Sequence, residues 1–273
     1  MARKRSTYGI VRAAIGASAF LLTTGAAHAE MATFATFTSI DQVKNVSLVN
    51  AGEGTIGATI YSISSGAANA PGAVKVHFGF LQNGLSTSVS NIIADFMLEG
   101  SITEPAVSTV GSLLVQPVFT GTMSFKTTTA IQLTSPLYET KTFEAGANLL
   151  TVRFNGAIFG SNGGSTANFN GSTGAGDTVF FTSDFLDFSQ VTKRDYATTM
   201  NAITPELLLA KNGSFDSFFA SIGGSFSSDP APILVSTVPE PASWALMLTG
   251  FMMLGAALRQ GRKNGTFSAT PKI

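Results

Sequence analysis

Cysteine is absent from the 273 residues, which removes disulfides, thiolate metal sites and thiol nucleophiles at a stroke. Histidine is nearly absent as well: His28 lies in an N-terminal stretch that reads as a removable leader, leaving His77 alone. One histidine suffices for a hydrolytic triad in principle. In "VKVHFGF", however, Val74, Val76, Phe78 and Phe80 share one face of an alternating strand, so His77 is expected to face solvent. Tryptophan occurs once, as Trp244, and charged residues make up only 12% of the chain. The formal net charge of zero is a sum of unlike parts. Residues 30–238 carry eight Lys and Arg against fifteen Asp and Glu, that is 8 − 15 = −7. An acidic domain lacks the basic face that nucleic acid requires, so no nucleic-acid partner is expected.

The two ends carry what charge and apolar length the middle lacks. Arg3, Lys4, Arg5 and Arg12 precede "AAIGASAFLLTTGAA", and the segment closes on the small residues Ala27 and Ala29. That order of basic, apolar and small residues is a secretory signal peptide over 1–29, with cleavage expected after Ala29. At the other end, Pro241 to Leu258 is an uncharged run of eighteen residues. As a helix it would span about 27 Å, close to a hydrocarbon core of about 30 Å. Arg259, Arg262 and Lys263 follow as a membrane stop and place that end on the cytoplasmic side. Pro239 and Pro241 lack backbone donors and favour extended backbone before them, so "PEP" is expected to be a stiff, exposed segment that an enzyme could grip.

Pro239, Glu240, Pro241, Ser243, Trp244 and Ala245, then the apolar span, then Arg259, resemble the PEP-CTERM sorting signal in its Pro-Glu-Pro-x-x-Trp-Ala form. The resemblance covers 239–263 and is followed by a polar tail, 264–273. It implies an exosortase-type membrane enzyme that recognises and cleaves near Pro-Glu-Pro, and a Gram-negative bacterium that makes extracellular polysaccharide. A plain C-terminal anchor, with Pro-Glu-Pro as no more than a helix-start signal, is the alternative. "QPVFTGTMSF", "AGANLLTVRFNGAIFG" and "IGGSFSSDP" are similar to segments of small exported proteins bearing this signal, and no functional residue is carried over on them.

Between the ends, residues 30–230 are rich in Thr, Ser, Phe, Val and Gly, and apolar residues alternate between Gly, Asn and Pro breaks. Strands are expected at 32–40, 54–64, 73–81, 116–127, 129–134, 148–160, 178–188 and 214–227, with "NIIADFMLEG" also read as a strand. The fold expected is all-β: an antiparallel β-sandwich or jelly-roll-like core, joined by a linker at 231–238 to the C-terminal transmembrane helix. "TPELLLA", with Thr204 as cap and Pro205 at the first position, predicts a helical turn or two. The Gly/Asn/Ser run 160–176 is expected to be a long flexible loop or a hairpin end.

Chemistry is sparse. The carboxylate pairs Asp184/Asp187, Glu99/Glu104 and Glu139/Glu144 could serve a glycosidase only if two faced each other across a cleft; as pairs they read as solvated acids. Asp177 in "GSTGAGDTVFF" could help loop carbonyls hold one calcium ion, but the stacked repeat that makes such sites is missing, so no metal and no cofactor are expected. Asn45, Asn170 and Asn212 fit a glycosylation triplet by composition alone. The expectation is therefore a non-catalytic exported protein, sorted by an exosortase, held transiently in the inner membrane and delivered to the surface or an extracellular matrix of polysaccharide. The rival is a carbohydrate-binding β-sandwich module, and an enzyme ranks third.

Overall fold

The computed structural model describes residues 31–40, 44–64, 70–82, 84–85, 87–108, 111–135, 138–235, 247–254 and 259. The strands are β1 (Ala32–Ser39), β2 (Val46–Asn50), β3 (Ala58–Ser62), β4 (Val74–Phe80), β5 (Ile92–Ile102), β6 (Val107–Ser108), β7 (Leu113–Thr127) and β8 (Ile131–Ser135). They continue as β9 (Tyr138–Phe143), β10 (Asn148–Ser161), β11 (Ala167–Ser172), β12 (Val179–Thr182), β13 (Leu186–Asp187), β14 (Lys193–Thr204), β15 (Phe218–Asp229) and β16 (Ile233–Leu234). The all-β, antiparallel expectation is met.

Twelve strands join one antiparallel sheet in the order β1-β4-β5-β3-β2-β15-β14-β11-β10-β7-β6, with β12 beside β10. Two further pairings, β1 with β15 and β5 with β7, bring the sheet back onto itself. Long strands make this possible by serving two neighbours along one edge. In β15, Phe218–Ala220 runs along β2 and Gly224–Ser228 along β1. In β5, Ile92–Phe96 runs along β4 and Glu99–Ile102 along β3. Closure satisfies backbone groups that an open edge would leave to a neighbouring chain.

Strand alternation sends one set of side chains inward. On β5 these are Ala94, Phe96, Leu98 and Ile102, all buried, while Glu99 stands outside. The interior is dominated by phenylalanine in two groups. Phe125 lies within 4.8–5.6 Å of Phe37, Phe78, Phe96 and Phe226. Phe119, Phe154 and Phe169 surround each other at 5.1–5.8 Å, and Tyr196 caps that second group at 5.0 Å from Phe154. A bulge punctuates β7 where its pairing with β10 shifts between Gly156 and Ile158. There Val118 takes φ 52°, which is costly for a β-branched residue.

Four expectations change. Residues 160–176 form a hairpin end and not one loop: β11 lies inside them, because Ala167 and Phe169 point into the core while the chain pairs with both β10 and β14. The helical turn at 204–207 does not form. Leu207 instead exchanges backbone hydrogen bonds with Gly163 and Gly164 and is itself fully buried. Strands β2, β9 and β14 fall where none was expected. The beginning of the expected linker is held on the domain: β16 pairs with β13, and the Val235 amide donates to the Phe185 carbonyl at 3.0 Å.

Ala27 and Ala29, residues 236–238, and Pro239, Glu240, Pro241, Ser243, Trp244, Ala245, Arg262 and Lys263 lie outside the described residues. Residues 247–254 are helical with Met247, Leu248, Phe251, Met252, Met253 and Leu254 all exposed, and Arg259 is helical too. Among the described residues no helix is long and apolar enough to cross a membrane.

Candidate functional site

The outer face of β5, β7, β10 and β12 forms an open depression of about 800 Å³. Its layout follows from strand register. Glu99 pairs with Thr122, Thr122 with Arg153, and Arg153 with Phe180, so these residues form one row across the strands. With neighbouring strands about 4.8 Å apart, the row is about 14 Å long. A parallel row starts at Ser101, which pairs with Thr120, and Thr120 in turn pairs with Asn155.

Between the two rows the inner face lacks side chains on β5 and β7, while Phe154 and Val179 fill it on β10 and β12. Gly100 stands opposite Gly121, and a Cβ on Gly100 would come 2.4 Å from the Phe119 ring, while one on Gly121 would come 2.5 Å from the Glu99 carbonyl. Both glycines are thus required by the close packing around them, and their backbone lines the depression from outside.

Polar groups in the second row hold each other. The Ser101 and Thr120 hydroxyls are 3.3 Å apart, and the Thr178 amide donates to Asn155 Oδ1 at 2.6 Å. That bond commits the Asn155 side-chain oxygen and leaves its NH₂ group as a donor without a partner among the described residues. In the first row, Glu99 and Arg153 are exposed and form no ion pair among the described residues. Phe180 is 57% exposed beside them. The arrangement offers an acceptor, a donor and an apolar ring in one line.

Several other sequence candidates are engaged within the fold. The Asp184 carboxylate accepts from the Asn148 amide at 2.7 Å, and the Asp187 carboxylate accepts from the Ser189 amide at 2.8 Å, so each is committed to the backbone. Asp177 accepts from the Ser172 amide at 3.0 Å, and among the described residues no three His, Asp or Glu gather as metal ligands. His77 is half-buried on the outer face between Thr38 and Ile93, with Nδ1 lacking a partner among the described residues. Asn45 is 1% exposed and its Oδ1 accepts from the Ile222 amide. Asn212 donates to the Asn50 side chain at 2.7 Å and to the Thr55 carbonyl at 2.7 Å, tying two loops together. Burial raises the Asp195 carboxyl pKa, with Asp177 nearby adding to the effect, and burial drives the Tyr196 phenol upward as well.

Glu99 stands out in the sequence only as half of an acid pair, and Arg153 and Phe180 do not stand out at all. Their outward parity follows from alternation, but their shared row depends on pairing register, which single strands do not reveal. The chain matches no family model, no curated protein and no solved structure.

Proposed function

We propose that this chain is an exported, non-catalytic protein of the cell surface or extracellular matrix, sorted through its C-terminal signal by an exosortase-type membrane enzyme. The observation that carries the reading is the ordered array of Pro239, Glu240, Pro241, Trp244 and Ala245, the uncharged run to Leu258, and then Arg259, Arg262 and Lys263. The same reading takes the domain as a sandwich or jelly-roll-like body built from the antiparallel sheet, and the run after Pro241 as a helix that holds the precursor in the inner membrane. Extracellular polysaccharide is the partner class met at that destination.

The docked segment up to Val235 supports the arrangement. Four residue steps separate Val235 from Pro239, at most about 14 Å of extended chain. The domain edge formed by β13 and β16 would thus sit close to the membrane surface while the tail is inserted. Replacing Pro239, Glu240 and Pro241 by alanine tests the reading in cell fractions. Membrane insertion is expected to persist, because the apolar run and basic cluster are untouched, while release to the surface stops. Unchanged release by the triple variant would overturn it.

A further inference from the structure

We propose that the depression on β5, β7, β10 and β12 binds a neutral polysaccharide chain, with Phe180 as the platform for a sugar ring and Arg153 and Glu99 as partners for its hydroxyl groups. This deepens the polysaccharide contact of the proposed function and does not require the sorting signal.

A sugar ring has an apolar face of C–H groups and a rim of hydroxyls, each both donor and acceptor. An aromatic ring complements the former, and a mixed set of donors and acceptors the latter. The row Glu99, Thr122, Arg153, Phe180 supplies both in fixed order. Arg153 donates only, Glu99 ionised accepts only, and Thr122 between them does either. Two strand spacings, about 10 Å, separate Glu99 from Arg153 at the backbone. At that separation on an open face, one ligand carrying several hydroxyls can reach both. The Asn155 donor, held by Thr178, extends the polar contacts into the next row.

One exposed phenylalanine on a surface is ordinary by itself. Here it adjoins two charged side chains that no ion pair engages among the described residues, on a face that also carries the hydroxyls of Ser101, Thr120, Thr122 and Thr178 and the Asn155 amide. Tyrosine contributes beside this row and not within it: Tyr196 is 1% exposed, whereas Tyr61, half-buried on β3, stands opposite Glu99 on the same outer face. The site's two charges cancel, while residues 30–238 carry −7. That field repels polyuronates and nucleic acids, which leaves an uncharged chain as the complementary ligand. The depression is open along its length, so a polymer can cross it without a free end.

The test uses the full chain, purified in a zwitterionic detergent that carries no sugar, and calorimetric titration with neutral hexasaccharides of glucose, mannose and galactose. A hexauronate serves as the anionic probe. At least one neutral hexasaccharide should bind and the hexauronate should not. Phe180→Ala, Arg153→Met and Glu99→Gln should each weaken binding about tenfold or more, with unchanged melting midpoints, and Phe180→Trp should retain it. If an alanine variant fails to fold, Phe180→Trp still decides: its indole emission should shift on adding the bound sugar. No binding by any neutral hexasaccharide, equal binding of the hexauronate, or binding indifferent to all three substitutions would overturn the proposal. Tail processing should be untouched by these variants, and the 239–241 alanine variant should bind sugar normally, so the two readings fail separately.

Discussion

Around Phe125 the ring contacts are all with other phenylalanines, whereas around Tyr196 the interior holds a hydroxyl wedged against bare backbone. The Phe125 group packs by ring contact at 4.8–5.6 Å. In the Tyr196 group, glycine sets the geometry: a Cβ on Gly156 would lie 2.2 Å from the Asn170 carbonyl oxygen and 2.6 Å from Tyr196 Oη. A Cβ on Gly171 would likewise lie 2.6 Å from the tyrosine ring. One region is stabilised by amount of buried surface and the other limited by fit. The first should respond to lost volume and the second to added volume.

The largest effect is expected from Phe125→Ala, which deletes the ring that touches four others and should cost about 4 kcal/mol in urea unfolding. A loss below about 1 kcal/mol would mean that the rings do not form a common core. Gly156→Ala should come next, at about 3 kcal/mol, because one added methyl has no space to enter. Tyr196→Phe runs the other way. Its hydroxyl is buried without a partner among the described residues, so removing it should be neutral or stabilising by about 1 kcal/mol. Destabilisation by Tyr196→Phe would show that the hydroxyl is bonded and that the Tyr196 region, like the Phe125 region, is held by what it buries.

The smallest effect is a pH slope at Asp195, next to Tyr196. Burial raises its carboxyl pKa in the folded protein, and Asp177 adds to this. The native state therefore holds the proton more tightly than the unfolded chain. The corresponding stability is fully present below the unfolded aspartate pKa and is lost as pH rises toward the folded value. Melting midpoints followed across that window should decline less steeply in Asp195→Asn than in the parent.

Period-two alternation makes β1, β4, β7 and β10 legible from the amino acids alone, because their apolar residues are large and face one way. It fails at β14, where "KRDYATTMNAIT" turns Tyr196, Thr198 and Met200 inward, a set too mixed in polarity to announce a buried face. It fails at β11 because Ala167 and Gly171 are small: the strand passes close to β10 and to Tyr196, and small residues look like loop. Thr204-Pro205-Glu206 carries a sound local helix signal that loses to the burial of Leu207 against Gly160. The site is harder still. Glu99, Arg153 and Phe180 are far apart along the chain, and what unites them is lateral register across a closed sheet.

The central claim, that the chain is exported and then processed at Pro-Glu-Pro, is tested most directly by intact-mass measurement of the protein recovered from its native cells. A mature species that begins at Glu30 and ends near Pro239, located outside the inner membrane, is the expected result. A species that keeps its whole tail through Ile273 and stays in the membrane would contradict it and show a plain anchor instead.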